Sequence, residues 1–230
     1  MKKKLTIFFL TFIIILIVLF NQKLIELYVI NKFSKWVEKD VLFEDFQITY
    51  PNIITVKNLK IKNTNPFYYD LIFETKSISM NVDIKSFLVG NLRIINNLMI
   101  DEPKFYLEVM QKNLKLEDQI ESDTQIVFED NIGIAKKLSQ NLPDKIWPIK
   151  EKDINFIILK SKISKGITYL NISSFNEESE ILMSNFEFAS IGNQKNYQHY
   201  KDILKIMLFD VFAREKDMKK KRILKKIYKF

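Results

Sequence analysis

The chain reads as a mainly β protein with flanking helices. Three observations predict this: an uncharged apolar run at its start, a long middle region of alternating apolar residues, and a return to helical spacing at its end. The expected architecture is an N-terminal transmembrane helix, an antiparallel β-sheet of about seven to nine strands, and a C-terminal amphipathic helix with a basic tail. Six segments follow: a transmembrane anchor at 1–22, a membrane-proximal amphipathic helix at 23–40, the first part of the sheet at 41–112, an insertion or linker at 113–150, later strands of the same sheet at 151–192, and the amphipathic helix with its basic tail at 193–230.

The anchor comes first. Leu5 to Phe20 carries no charge and only two hydroxyls, Thr6 and Thr11, directly after Met1-Lys2-Lys3-Lys4. Its Leu, Ile, Phe and Val residues together favour the bilayer by about 4 to 8 kcal/mol. A cleaved signal peptide needs small residues at its end, whereas Phe20-Asn21-Gln22-Lys23 follows here, so the expected segment is an uncleaved single-pass anchor. The lysine density at the start places the N-terminus in the cytoplasm and the bulk of the chain across the membrane. From Leu24 to Lys39, the spacing of Leu24, Leu27, Tyr28, Ile30, Phe33, Trp36 and Val37 lays an apolar stripe along a helix leaving the bilayer.

The period then changes from helical to alternating. Phe46, Ile48 and Tyr50, then Leu59 and Ile61, then Ile78, Met80, Val82 and Ile84, then Ile94, Leu98 and Ile100, then Phe105, Leu107 and Val109 read as strands with one buried face. Pro51-Asn52, Asn63-Thr64-Asn65-Pro66, Gly90-Asn91 and Asp101-Glu102-Pro103 punctuate them as the short turns of an antiparallel meander. The alternation lapses between Asn113 and Pro148, which includes an acidic stretch from Glu117 to Asp130. It resumes at Ile154 to Ile163, Ile167 to Ile172, and Ile181 to Phe188. Near Tyr200, Leu204, Met207, Leu208, Val211 and Phe212 begin an amphipathic helix, and nine Lys or Arg fall between Arg214 and Phe230.

Several classes of chemistry find no foothold. With no cysteine, disulfides, thiolate nucleophiles and thiolate metal sites are excluded. Four glycines, at Gly90, Gly133, Gly166 and Gly192, write no phosphate-cradling loop. His199 is the single histidine and has no second His or Cys to share a metal. The adjacent carboxylates Glu44-Asp45, Asp101-Glu102, Glu117-Asp118 and Glu177-Glu178 point to opposite faces in extended chain. The expectation is a non-catalytic protein without cofactor or metal.

The order and spacing of these residues resemble the N-terminal part of AsmA-like envelope proteins. The resemblance is carried by Val56-Lys57-Asn58-Leu59-Lys60-Ile61-Lys62-Asn63 with Pro66-Phe67, by Met80 to Leu88 with Gly90, by Ile94, Leu98, Ile100, Pro103, Phe105, Leu107 and Glu108, and by Ser190-Ile191-Gly192 before a helix. It implies a sheet curved into a greasy groove, a place in the inner membrane with most of the chain periplasmic, and a part in outer-membrane biogenesis or lipid transport.

On that footing Ile78, Met80, Val82, Ile84, Ile94, Ile100, Phe105 and Leu107 are the lipid-facing candidates, although ordinary core packing explains the same alternation. Lys219, Lys220, Lys221, Arg222, Lys225 and Lys226 are the candidates for a basic tail at the membrane surface. Membrane phospholipid is the expected partner. An anchored module recruiting a protein partner in the envelope is the alternative. Nucleic acid, with Tyr228 or Phe230 stacking on bases, is disfavoured because the tail is expected across the membrane from the cytoplasm.

Overall fold

The computed structural model describes residues 9–12, 22–37, 39–63, 67–89, 92–114, 125–131, 155–192 and 197–228. Most of the expected anchor therefore lies outside the described residues. Among those described, no helix is long and apolar enough to cross a membrane.

Among the described residues, eleven strands form one sheet: β1 (Val41–Leu42), β2 (Asp45–Thr49), β3 (Ile53–Lys62), β4 (Leu71–Val82), β5 (Leu92–Asp101), β6 (Lys104–Leu114), β7 (Gln125–Asp130), β8 (Asn155–Ser164), β9 (Ile167–Ile172), β10 (Ser179–Leu182) and β11 (Phe186–Gly192). Among the described residues, the helices α1 (Gln22–Val37), α2 (Ile84–Leu88), α3 (Tyr200–Arg214) and α4 (Met218–Tyr228) accompany them.

Two features correct the antiparallel meander of about seven to nine strands expected from short turns. The sheet is mixed, because β8 runs parallel to β5 and β9 parallel to β6. A parallel return requires a long connection, and the chain between Asp130 and Asn155 supplies that length. The additional strands are the short β1, the separate β10 and β11, and β7, which lies in the segment read as an insertion and pairs with the end of β6.

The eleven strands follow six long paths. Asp101 pairs with Ser77 and Lys104 with Glu74, so β5 and β6 continue one line along β4. β8 and β9 continue beside them in unbroken register, as do β10 and β11 next to β9 and β8. Every path meets one crease, a line along which Glu44, Asn58, Lys76, Glu102, Lys165 and Ser184 come level. Asn58, Glu102 and Lys165 have left-handed backbone there, at φ 50, 51 and 56. Such a conformation costs an L-residue about 1–2 kcal/mol.

Polar bonds tie the row together. Asn58 Nδ2 donates to Glu44 Oε2 at 2.6 Å, Lys76 Nζ to Glu102 at 2.9 Å, and the Lys165 N–H to Asn185 Oδ1 at 3.0 Å. The crease shifts the phase of alternation by one residue: Val56 and Leu59 in β3, and Ile163 and Leu170 across β8 and β9, are all core residues although their sequence parity differs.

The core forms in two clusters on the same face of the sheet. Val41, Phe46, Val56 and Leu59 pack with Ile25, Val29 and Phe33 of α1. Leu107, Val109, Ile163, Leu170, Ile172, Ile181 and Phe186 pack under Ile203, Met207, Val211 and Phe212 of α3 and Leu224 and Tyr228 of α4. Ile78 borders the first cluster and its direct partner Ile100 the second, which puts both on one face.

The packed stripe of α1 shares Phe33 with the expected one but otherwise follows other residues. Ile25, Val29 and Phe33 face the sheet, leaving Leu24, Leu27 and Tyr28 exposed. A helix buries the stripe that meets its neighbour, and the sequence period alone does not choose between two apolar stripes.

Polar bonds dock the C-terminal helices. Asp210 of α3 accepts from the Ser184 N–H at 2.8 Å, the Ser184 hydroxyl at 2.7 Å and Arg214 Nε at 3.0 Å. Asp217 caps α4 by accepting from the N–H groups of Lys219 and Lys220, at 2.7 and 3.3 Å. The basic tail is thus a helix, and its apolar side belongs to the core.

Candidate functional site

Between the α1 cluster and the α3–α4 cluster runs a strip of the same apolar face that is only half covered. Direct pairing aligns Ile48, Ile54, Met80 and Leu98 in one row across β2, β3, β4 and β5. The next row is Phe46, Val56, Ile78 and Ile100. Phe46 and Val56 are buried beneath α1, Ile54, Ile78, Met80, Leu98 and Ile100 are half-buried, and Ile48 at the edge is 45% exposed. The strip is a run of branched and thioether side chains with no charge among them. Contact with other apolar groups is favourable for such side chains, and they carry no group that directs chemistry.

The eight lipid-facing candidates fall into distinct environments. Met80, Ile78 and Ile100 belong to the strip. Ile94 is half-buried near the start of β5, and Phe105 borders the α3–α4 cluster beside Phe73, with ring centroids 5.1 Å apart. Val82 is buried, and Leu107, 2% exposed, lies in the core beneath α3 and α4.

Ile84 leaves the strand it was expected to extend and opens α2, 40% exposed. Asp83 causes this change: its carboxylate accepts from the Ser86 N–H at 3.3 Å, and the Ser86 hydroxyl donates back to the Asp83 carbonyl at 2.7 Å. A side chain that caps a helix stops the strand before it. Conversely, Ile48, Ile54 and Leu98 complete the strip without having been singled out as lipid-facing. For Ile48 and Leu98 the signal was the same alternation.

The basic residues of α4 also separate. Lys219, Arg222, Lys225 and Lys226 are exposed. Lys221 donates to the Ala213 carbonyl at 3.0 Å. Lys220 cannot meet a membrane surface as expected. It is 4% exposed, donates to the Glu177 carbonyl at 2.6 Å and the Ser179 hydroxyl at 2.9 Å, and lies over the Phe175 ring at 5.6 Å. The helical period turns it away from Lys219 and Arg222, a distinction that a run of like charges conceals.

The opposite face of the sheet is polar and aromatic. Tyr69, Tyr106 and Tyr169 form a ladder with ring centroids 5.3 and 5.2 Å apart. Glu74 accepts from both Lys104 and Tyr106 at 2.9 Å. Burial alone would raise the Glu74 carboxyl, but these donors outweigh it and hold it below the ordinary carboxylate range. Burial, helped by the Glu74 carboxylate, pushes the Tyr106 phenol up. Burial and donation to Glu178 do the same for Tyr69. These phenols stay protonated donors and make a structural ladder.

The paired carboxylates have separate partners. Asp101 accepts from the Ser164 hydroxyl while Glu102 binds Lys76. Asp45 binds Lys57 while Glu44 accepts from Asn58. The Glu117-Asp118 pair lies outside the described residues. His199 precedes α3, where its carbonyl accepts from the N–H groups of Asp202 and Ile203. Among the described residues, no group of three or more His, Cys, Asp or Glu is placed to hold a metal ion.

The class that fold and site define is a mainly β protein with a creased mixed sheet and helices over the ends of one apolar face. Comparison with family models, with curated proteins and with solved structures finds no match.

Proposed function

We propose that this chain is a membrane-anchored, non-catalytic, AsmA-like protein of the bacterial envelope, and that it assists outer-membrane biogenesis or lipid handling by holding acyl chains on the strip of Ile48, Ile54, Met80 and Leu98. In this reading it is a single-pass protein of the inner membrane with its N-terminus cytoplasmic and its sheet periplasmic. The observation that carries the proposal is the half-covered apolar row between two helix-covered ends. The exposed Leu24, Leu27 and Tyr28 of α1, immediately after the apolar N-terminal run, add support, because aromatic and aliphatic side chains suit the bilayer interface.

Neighbouring residues on a strand point to opposite faces, which supplies an internal control. A photoreactive amino acid at Leu98 is expected to crosslink phospholipid in membranes, and the same group at the 46% exposed Met99 is expected to do so far less. Equal labelling at both positions, or none at Leu98, would overturn the proposal. A topology reporter fused after Phe230 checks the periplasmic placement. The alternative of an anchored module recruiting a protein partner is favoured by the exposed Ile206 and Phe209 on the outer side of α3. Crosslinking from Ile206 to a single stoichiometric protein, with no lipid at Leu98, would select it.

A further inference from the structure

We propose that the outward face of α4 is a docking surface for an anionic phospholipid bilayer, giving the domain a membrane contact separate from its N-terminal end. Met218, Lys219, Arg222, Lys225 and Lys226 are exposed, whereas Lys220, Leu224 and Tyr228 are buried. At 3.6 residues per turn, the five exposed residues fall within an arc of about 120°. That arc carries four cations, and no acidic residue occurs anywhere on the helix. The carboxylates that precede α4 in the chain are engaged: Asp217 caps it, Glu215 is buried and accepts from the Asp217 N–H, and Asp210 holds Ser184 and Arg214. Each cation near an anionic leaflet favours association about fivefold, so the four act together.

Two further observations choose a bilayer over nucleic acid. Tyr228, one of the two aromatics that could stack on a base, is 4% exposed and packs on Phe212 at 5.2 Å between ring centroids, and the other, Phe230, lies outside the described residues. Met218, at the start of the cationic face, is 61% exposed and supplies an apolar side chain to enter the headgroup layer. The burial of Lys220 and Leu224 fixes the rotation of α4, so the cations are presented as one face of a rigid helix. This inference deepens the envelope reading and rests on it only for which membrane is met.

The chain has no cysteine, so Met218→Cys provides a single labelling site in the full-length protein. With a polarity-sensitive dye there, protein reconstituted into nanodiscs containing phosphatidylglycerol is expected to show a blue shift and quenching by headgroup spin labels. Both should be weak in phosphatidylcholine discs and reversed by high salt. The doubly substituted Lys225→Gln, Lys226→Gln chain is expected to lower the ratio of docked to undocked helix roughly 25-fold.

The same signal in both disc compositions, no change on substitution, or a stronger response to a single-stranded oligonucleotide than to anionic discs overturns the proposal. Lipid crosslinking at Leu98 is independent of this readout. Loss of the crosslink with the dye response intact removes the acyl-chain strip and leaves the docking surface, and the reverse result does the opposite. A chain that responds in anionic discs but does not associate with zwitterionic ones removes the anchor and supports the surface.

Discussion

The covered and half-covered parts of one apolar face share strands, register and alternation, yet differ in what lies above them. At the end formed by β6, β8, β9, β10 and β11, α3 and α4 close over Val109, Leu170 and Ile172 until no measurable surface remains. In the middle, Ile54, Met80 and Leu98 have equivalent chemistry but remain half-buried. Alternation reports that a face is apolar. Whether that face is core or binding surface depends on elements distant in sequence.

The largest expected effect sharpens this contrast directly. Leu170→Ala should destabilise the fold by about 2–5 kcal/mol, since it leaves a cavity in a fully enclosed site, while Leu98→Ala should cost about 1 kcal/mol because that side chain is only partly enclosed. Urea midpoints with unchanged slopes measure both. Equal losses would mean that the strip is as enclosed as the core.

The crease comes next. Asn58→Val should cost about 1–2 kcal/mol, because a β-branched residue resists left-handed backbone, whereas Asn58→Gly should retain most of the stability. A harmless valine would show that the crease needs no special residue.

A smaller effect concerns how the cover is held on. Burial would raise the Asp210 carboxyl, but donation from the Ser184 N–H and hydroxyl and from Arg214 outweighs it, leaving Asp210 below the ordinary range. With a depressed folded-state value, its contribution is complete above the unfolded carboxylate value of about 3.9 and disappears as pH falls through the folded value. Stability should therefore decline on acidification below about pH 4, and Asp210→Asn should be less stable at neutral pH by about 1 kcal/mol with a flatter acid limb. Unfolding midpoints between acid and neutral pH check this. Met99→Ser, on the polar face, should change stability by less than about 0.5 kcal/mol, the smallest effect of the set.

Much of this contrast was legible in the residues. Phe46, Ile78, Ile100 and Leu107 announced the apolar face through their spacing, and Tyr200 marked the start of α3. The parallel pairing of β5 with β8 was not legible, because a neighbour reached through a long connection leaves no local periodicity. The direction of α1 was hidden by two apolar stripes, of which Ile25, Val29 and Phe33 won. Lys220 appeared equivalent to Lys219 because a charge run does not reveal which member lies over Phe175. Ile84 continued the alternation, and only the reciprocal bonding of Asp83 and Ser86 turned it into helix.

The crease also restricts how this protein can change in length. Each path exchanges its inward and outward residues along one common line, so a single inserted amino acid within a strand on either side of that line would turn the remainder of that strand inside out. Residues can be added to a strand in pairs, or singly in the loops, while a one-residue change in a strand would have to be answered by its neighbours. Lineages carrying this sheet should accumulate insertions at its rims and preserve the lengths of its ribs.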